Sequence, residues 1–159
     1  AMMTFTAQND GAKKPKRIKD GFRSGIMLEI CYAVFICAVL LLFDKQLIGL
    51  FGDSKQMLSE GSRYFAVMAF FYWLPGVTNA HQGFLRGVGK MKMTLYGTLT
   101  QITFRVIFTF LLVPRIGLVG VGFACIAGWI AMLGWQAPYC IHIRKKMMTE
   151  RKENYDLQG

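Results

Sequence analysis

Groups that support catalysis or bind metals are scarce in this sequence. Its 159 residues include two histidines and nine acidic residues. There is no His-Glu-x-x-His motif, no Gly-x-Ser-x-Gly motif and no pair of carboxylates within one segment. The four cysteines lie inside or at the end of apolar runs without Cys-x-x-Cys spacing, so we expect them to act as small apolar residues. The sequence therefore predicts no enzyme, no metal site and no cofactor.

Negative charge is also scarce. The sequence has nineteen Lys and Arg residues but only nine Asp and Glu residues, which gives a net charge of +10. A nucleic-acid-binding face would spread such cations among aromatic side chains. Here the cations form short clusters between apolar runs, in a chain that is 53% hydrophobic. This separation is typical of a multi-span membrane protein with basic loops. We therefore expect the lipid bilayer, and not nucleic acid, as a partner.

A basic, glycine-rich segment at residues 79–90 joins two of the apolar runs. It is not a phosphate-binding loop, because five residues separate Gly83 from Gly89 where that loop needs four. A tight turn at the membrane surface explains the segment better. In such a turn Gly87 and Gly89 would take backbone angles closed to other residues. The cationic Arg86 and Lys90 would stay in water and meet lipid phosphates.

Four apolar runs are long enough to cross a bilayer, because about 20 helical residues span the roughly 30 Å of its hydrocarbon core. They cover residues 25–43, 64–84, 93–113 and 118–141. Residues 1–24 are interpreted as the end of a preceding span and a basic cytoplasmic loop, and residues 142–159 as a polar, frayed cytoplasmic tail. The predicted fold class is all-α, a polytopic membrane helix bundle with four transmembrane spans.

Two features of these runs predict how the helices are shaped and packed. Pro75 and Gly76 lie at the middle of the second run, where the missing N–H of proline is expected to kink or partly unwind the helix. In the fourth run Gly120, Ala124 and Gly128 recur at four-residue spacing. Small residues on one ridge allow close helix contact where lipid provides no hydrophobic drive.

The distribution of cations predicts the orientation. The leading segment, the segment at 79–92 and the tail carry six, three and five Lys or Arg residues, whereas the two other loops carry three and one. Loops rich in Lys and Arg face the cytoplasm. We therefore expect a multi-pass protein of the plasma membrane with both termini in the cytoplasm.

Five polar residues within the spans are candidates for a transport path, because polar groups are costly in the bilayer. They are Thr78, Asn79, Gln82, Gln101 and Arg105. The first three follow the break at Pro75 and would either line a cavity or make interhelical hydrogen bonds.

Arg105 is the most costly of these polar groups. It lies about 18 Å along the helix from Met93, where insertion costs about 2.5–3.5 kcal/mol. It should therefore face the bundle interior or an aqueous cavity, where it would meet backbone carbonyls or an acid that is not present in this chain. Glu29 lies only about 6 Å beyond Gly25, so a direct pair between Glu29 and Arg105 is not expected.

Three motifs resemble the multidrug and toxic compound extrusion (MATE) transporters, and together they extend over nearly the whole chain. The elements similar to the intracellular loop that opens the family's last third are Gln8-Asn9, Gly11-Ala12 and Arg17-Ile18-Lys19 followed by Gly21. The elements similar to the family's Q-G-x-x-R-G-x-G-[KD] turn and to the loop before its final span are Gln82-Gly83-Phe84-Leu85-Arg86-Gly87-Val88-Gly89-Lys90 and Pro114-Arg115-x-Gly117-x-x-Gly120-Val121.

The resemblance implies a fragment of a twelve-span protein with two six-helix lobes, containing the end of the eighth span and the ninth to twelfth spans. It implies Na⁺- or H⁺-coupled export of organic, often cationic compounds by alternating access, with the N-terminal lobe as the missing partner. The motif positions that it marks are Gln8, Asn9, Gly11 and Arg17 in the loop, and Pro75, Gly83, Arg86, Gly87 and Gly89 around the turn.

The chain departs from the family in one respect. Coupling acids of the family lie in the first, seventh or tenth span, whereas the segment similar to the tenth span has Pro75 and no Asp or Glu. We therefore expect the coupling group outside this chain.

Two other functions fit four spans. One is a stand-alone interaction or accessory protein without transport activity. The other is a small four-helix exporter that works as a dimer, but that mechanism needs an acid in the middle of its first span, and Glu29 is expected too near the edge.

Overall fold

The computed structural model describes residues 1–50, 52 and 54–156, with side chains as far as residue 150. These residues form seven helices, and no strand occurs among them. The helices are α1 (Met2–Gly11), α2 (Pro15–Leu42), α3 (Asp44–Gly49), α4 (Lys55–Phe71), α5 (Trp73–Gly87), α6 (Met91–Ile116) and α7 (Leu118–Asp156). The predicted all-α fold class is confirmed.

Three of the described helices are long and apolar enough to cross a membrane. They are Pro15–Leu42, Met91–Ile116 and the part of α7 at Leu118–Glu150. The predicted second span at residues 64–84 is instead divided between α4, with 17 residues, and α5, with 15 residues. The structure therefore has three such helices where four continuous spans were expected.

The division of the second run follows from Pro75. Proline has no N–H for the carbonyl four residues earlier, and its ring crowds that carbonyl. The carbonyl in question belongs to Phe71, the last residue of α4. Tyr72 separates the two helices and donates its backbone N–H to Ala69, three residues back, at 3.3 Å. Pro75 thus lies in the first turn of α5, where a missing N–H costs little, and the expected kink occurs three residues earlier, at Tyr72.

The predicted helix boundaries at the two ends of the chain are corrected. α2 begins at Pro15 and not at residue 25, so most of the expected basic loop is helix, because proline in the first turn favours a helix start. α7 has 39 residues, about 58 Å at 1.5 Å per residue, so the expected frayed tail is helical as far as Asp156. Residues 157–159 of that tail lie outside the described residues.

The α6–α7 hairpin is held by the small residues that the sequence marked as a ridge. A Cβ atom at Gly128 would lie 2.7 Å from the backbone oxygen of Gln101, and one at Gly120 would lie 2.9 Å from the backbone of Leu112. Ala124, between them, is fully buried. Close approach along this ridge is confirmed.

A second core lies where α2, α5 and α7 meet. Its buried members are Ile18, Phe22, Ala80, Phe84, Leu85 and Cys140. The guanidinium carbon of Arg144 lies 4.2 Å from the centre of the Phe22 ring and 5.8 Å from that of Phe84. A cation over an aromatic face is worth about 0.5–1 kcal/mol at an exposed site and about 2 kcal/mol when desolvated, and Arg144 is partly buried. Arg144 therefore secures α7 to α2 and α5.

The short helix α3 packs against the start of α4. Ile48 is buried, and a Cβ at Gly61 would lie 2.9 Å from its side chain. A hydrogen bond from the Ser62 side chain lowers the pKa of Asp44, the first residue of α3. This contact connects the segment after α2 to the next long element.

We expect Gly128→Leu to destabilise the hairpin, because its side chain would occupy the space of the α6 backbone. Overpacking of this kind costs about 1–3 kcal/mol, measured as a lower melting temperature of the purified protein in detergent. Gly134→Leu is the matched control on α7, since no atom lies within 4 Å of a Cβ at that position. Equal melting temperatures for the two variants would contradict the packing role of Gly128.

Candidate transport site

The polar residues expected along a transport path are divided between two helices. Thr78, Asn79 and Gln82 lie on α5, whereas Gln101 and Arg105 lie on α6. Thr78 is buried and donates its hydroxyl to the backbone oxygen of Pro75 at 2.8 Å. It satisfies a carbonyl within the first turn of α5. Asn79 is exposed and lines an open cleft.

Gln82 connects α5 to the α6–α7 hairpin. Its side-chain nitrogen lies 3.2 Å from the sulfur of Met132 on α7 and 3.4 Å from the hydroxyl of Thr98 on α6. Its side-chain oxygen accepts a hydrogen bond from Arg86 at 3.0 Å. The amide thus makes interhelical hydrogen bonds, and Gln82 also lines the open cleft, so it combines the two roles left open by the sequence.

The turn motif is mostly helical. α5 extends to Gly87, and only Gly89, with φ of +73°, takes the left-handed conformation. Gly87 was expected to share that role, which is wrong. A Cβ at Gly87 would lie 2.5 Å from Thr6, and one at Gly83 would lie 3.0 Å from Met2. These two glycines allow α1 to contact α5 at close range.

The loop motif extends from the end of α1 into the first turns of α2. Asn9 is buried, and its side chain donates to the backbone oxygen of Phe5 at 2.8 Å, while its own backbone oxygen accepts from Lys14 at 2.8 Å. Gln8, Gly11 and Arg17 are exposed. Within the motif, Asn9 therefore shapes the turn into α2.

Arg105 does not face the bundle interior. Its side chain is exposed, and neither of the two ion pairs found in the part of the chain with described side chains includes it. Gln101, one turn earlier, contacts α7 at Gly128. The guanidinium lies within electrostatic range of Tyr64 on α4. Contact of Arg105 with an aqueous cavity, or with an acid outside this chain, stays a prediction.

Glu29 lines the site, although it was not among the candidate residues chosen from the sequence. A Cβ at Gly76 would lie 3.1 Å from a carboxylate oxygen of Glu29, so the acid contacts the first turn of α5, next to Pro75. This contact makes two expected depths inconsistent, since Gly76 was expected at the middle of its span and Glu29 about 6 Å from the edge. The available signal was its position as the only acid in an apolar run.

Two adjoining cavities share Glu29. The smaller, of about 110 Å³, is lined by Glu29, Tyr32, Tyr72, Pro75 and Asn79, with Ala33 and Gly76. The larger is a cleft of about 810 Å³ between α1, α2 and α5, and Glu29, Tyr32 and Asn79 line it too. The cleft is mostly apolar, with Glu29 on one wall and Arg86 towards the end of α5. A carboxylate among apolar and aromatic groups suits a cationic occupant.

Comparison with known proteins gives two findings. The family model MatE matches residues 1–111, and no curated protein matches. A solved structure, titled as the inward-facing conformation of a multidrug resistance MATE family transporter of the MOP superfamily, has a similar fold with a TM-score of 0.79 at 16% identity. The match covers 87% of this chain and 32% of that one, so the chain spans about a third of that transporter's length.

The structural likeness by itself shows a shared fold, because the identity is low. The family model extends over 111 of the 159 residues, and it includes the loop motif and the Arg-Gly-x-Gly turn. The chain therefore belongs to the MatE family, which is a family of transporters and not of enzymes.

Proposed function

We propose that the chain forms part of a multidrug efflux antiporter that is coupled to H⁺ or Na⁺ and works by alternating access. The match of the MatE family model to residues 1–111 carries the proposal. The similar solved transporter supports it, since that protein is open to the inside and export requires a second, outward-open state.

The chain would supply most of the second of two lobes. It spans 32% of the length of the similar transporter, so the first lobe is the main proposed partner, together with the lipid bilayer. α2, α6 and α7 would be three of the spans. The broken pair α4 and α5 would be the fourth, because 17 and 15 residues at 1.5 Å per residue give about 48 Å, enough to cross a core of about 30 Å.

The cleft between α1, α2 and α5 is the proposed path for an organic cation. Its volume of about 810 Å³ is within the range of about 300–1,000 Å³ for sites that hold drug-sized ligands. Its apolar lining suits an aromatic body, and Glu29 suits a positive charge. The other lobe would supply the opposite wall.

The proposed orientation places both termini and the turn at Lys90 in the cytoplasm of a cell with the protein in its plasma membrane. The basic residues of the first turns of α2 and of the end of α7 support it, because Lys and Arg are retained on the cytoplasmic side. The turn after α5 adds Lys90, which is exposed.

We expect cells that express the complete protein to accumulate less of a fluorescent aromatic cation than cells with the empty vector. Collapse of the proton and sodium gradients should abolish the difference, because the gradients drive the export. Equal accumulation with and without the protein, at matched membrane expression, would favour the accessory-protein alternative.

Thiol labelling tests the orientation. In a cysteine-free background, we expect a membrane-impermeant maleimide added outside intact cells to modify Lys55→Cys but not Lys90→Cys. Both residues are exposed, so accessibility within the protein does not distinguish them. Permeabilised cells serve as the control, in which both positions should react. Labelling of Lys90→Cys in intact cells would reverse the orientation.

A further inference from the structure

We infer that Glu29 is the residue of this lobe that takes up the coupling cation, H⁺ or Na⁺, in the small cavity beside the break between α4 and α5. The inference rests on the proposed antiport function. It differs from the expectation drawn from the sequence, which assigned the coupling group to a part of the protein outside this chain.

The position of Glu29 supports this role. Glu29 is the fifteenth of the 28 residues of α2, and its carboxylate contacts Gly76. Gly76 lies eleven residues before the end of α5 at Gly87, about 16 Å at 1.5 Å per residue. If the following turn is at the membrane surface, this places the carboxylate near the middle of a core of about 30 Å.

The unpaired charge of Glu29 also supports this role. A carboxylate at this depth must be paired, protonated or bound to a cation, because an isolated charge is costly there. The two ion pairs among the residues with described side chains are Arg63 with Glu60 and Lys146 with Glu150. Arg86 lines the larger cleft, but it lies ten residues from Gly76 along α5 and is bound to Gln82. No described cation neutralises Glu29.

The side chains of the cavity wall have the chemistry that a cation site needs. The titratable and charged side chains that line the two cavities with Glu29 are Tyr32 from α2, Tyr72 between α4 and α5, and Arg86 from α5. Asn79 adds an amide. Hydroxyl, amide and carboxylate oxygens are the ligands that hard cations prefer, and they equally accept and donate hydrogen bonds to a protonated carboxyl.

The volume of the small cavity limits what can bind there. The cavity of about 110 Å³ is too small for a drug-sized molecule, which needs at least about 300 Å³. It is large enough for a small cation with a few waters, since each water occupies about 30 Å³ in the liquid. Its occupant is therefore H⁺ or Na⁺, and the organic cation belongs in the adjoining cleft.

The shared wall explains how the two occupants would be coupled. Glu29, Tyr32 and Asn79 line both cavities, so an organic cation in the cleft and a coupling cation on Glu29 interact with the same carboxylate. Binding of a proton forms one O–H bond on Glu29 and removes its negative charge, and loss of that proton restores it. Each cation then weakens the binding of the other, as antiport requires.

The test uses the complete transporter in proteoliposomes with imposed pH or Na⁺ gradients. We expect Glu29→Gln to reduce gradient-driven uptake of an aromatic cation about tenfold or more, and to make the weakened binding of that cation by the purified protein independent of pH and Na⁺. Glu29→Asp should restore part of the rate. Asp20→Asn is the matched control, because Asp20 is an exposed acid of the same helix.

The two cations and the two proposals are separated by the same assay. Loss of the pH dependence at constant Na⁺ identifies H⁺, and loss of the Na⁺ dependence at constant pH identifies Na⁺. Absence of transport by the unmodified protein would refute the antiport function itself. Transport by Glu29→Gln with the original rate and ion dependence would refute only the role of Glu29.

A second measurement does not require that the variants fold. A hydrophobic carbodiimide reacts with protonated carboxyl groups in membranes, and mass spectrometry locates the product. In the unmodified transporter we expect modification of Glu29 that decreases as the pH rises or as Na⁺ is added. Modification that does not respond to either ion, or its absence at Glu29, would overturn the inference.

Discussion

The hydrogen bond that Pro75 cannot make determines how one half of this chain is arranged. Without an N–H for the Phe71 carbonyl, the run of residues 64–84 cannot form one straight helix, and it divides at Tyr72 into α4 and α5. Broken backbone is tolerated in a membrane only against protein or a cavity. Both are present here, because Glu29 of α2 packs against Gly76 and a small cavity lies beside the break.

Glycine allows the close contacts that hold the other helices together. Gly83 and Gly87 admit α1 onto α5, and Gly120 and Gly128 admit α6 onto α7. Where lipid removes the hydrophobic drive, such contacts stabilise a bundle through van der Waals packing. Gln82 then joins the two halves through Thr98 and Met132. These contacts are distributed between the Arg-Gly-x-Gly turn and the turn at Gly117, and the cleft lies between α1, α2 and α5.

Much of the fold could be predicted from the sequence, because apolar run length, proline and small-residue spacing act locally. The all-α class, the interrupted second run, the glycine ridge of α7 and the MatE family were predicted correctly. Errors arose where a boundary or a neighbour decides. Pro15 starts α2 inside the basic segment, and Glu29 contacts Gly76, a neighbour that the sequence did not indicate. Gly87 was assigned to backbone freedom, although it is needed for contact with Thr6.

The sequence by itself determined the all-α class, the break in the second run and the family to which the chain belongs, since these depend on the order of residues along the chain. Only the tertiary structure decided which polar groups meet. Arg105 is exposed, and Glu29 lies beside the α4–α5 break, because the relative shift and tilt of packed helices set these positions. That register depends on the contacts of many side chains between helices, and no single periodicity in the sequence encodes it.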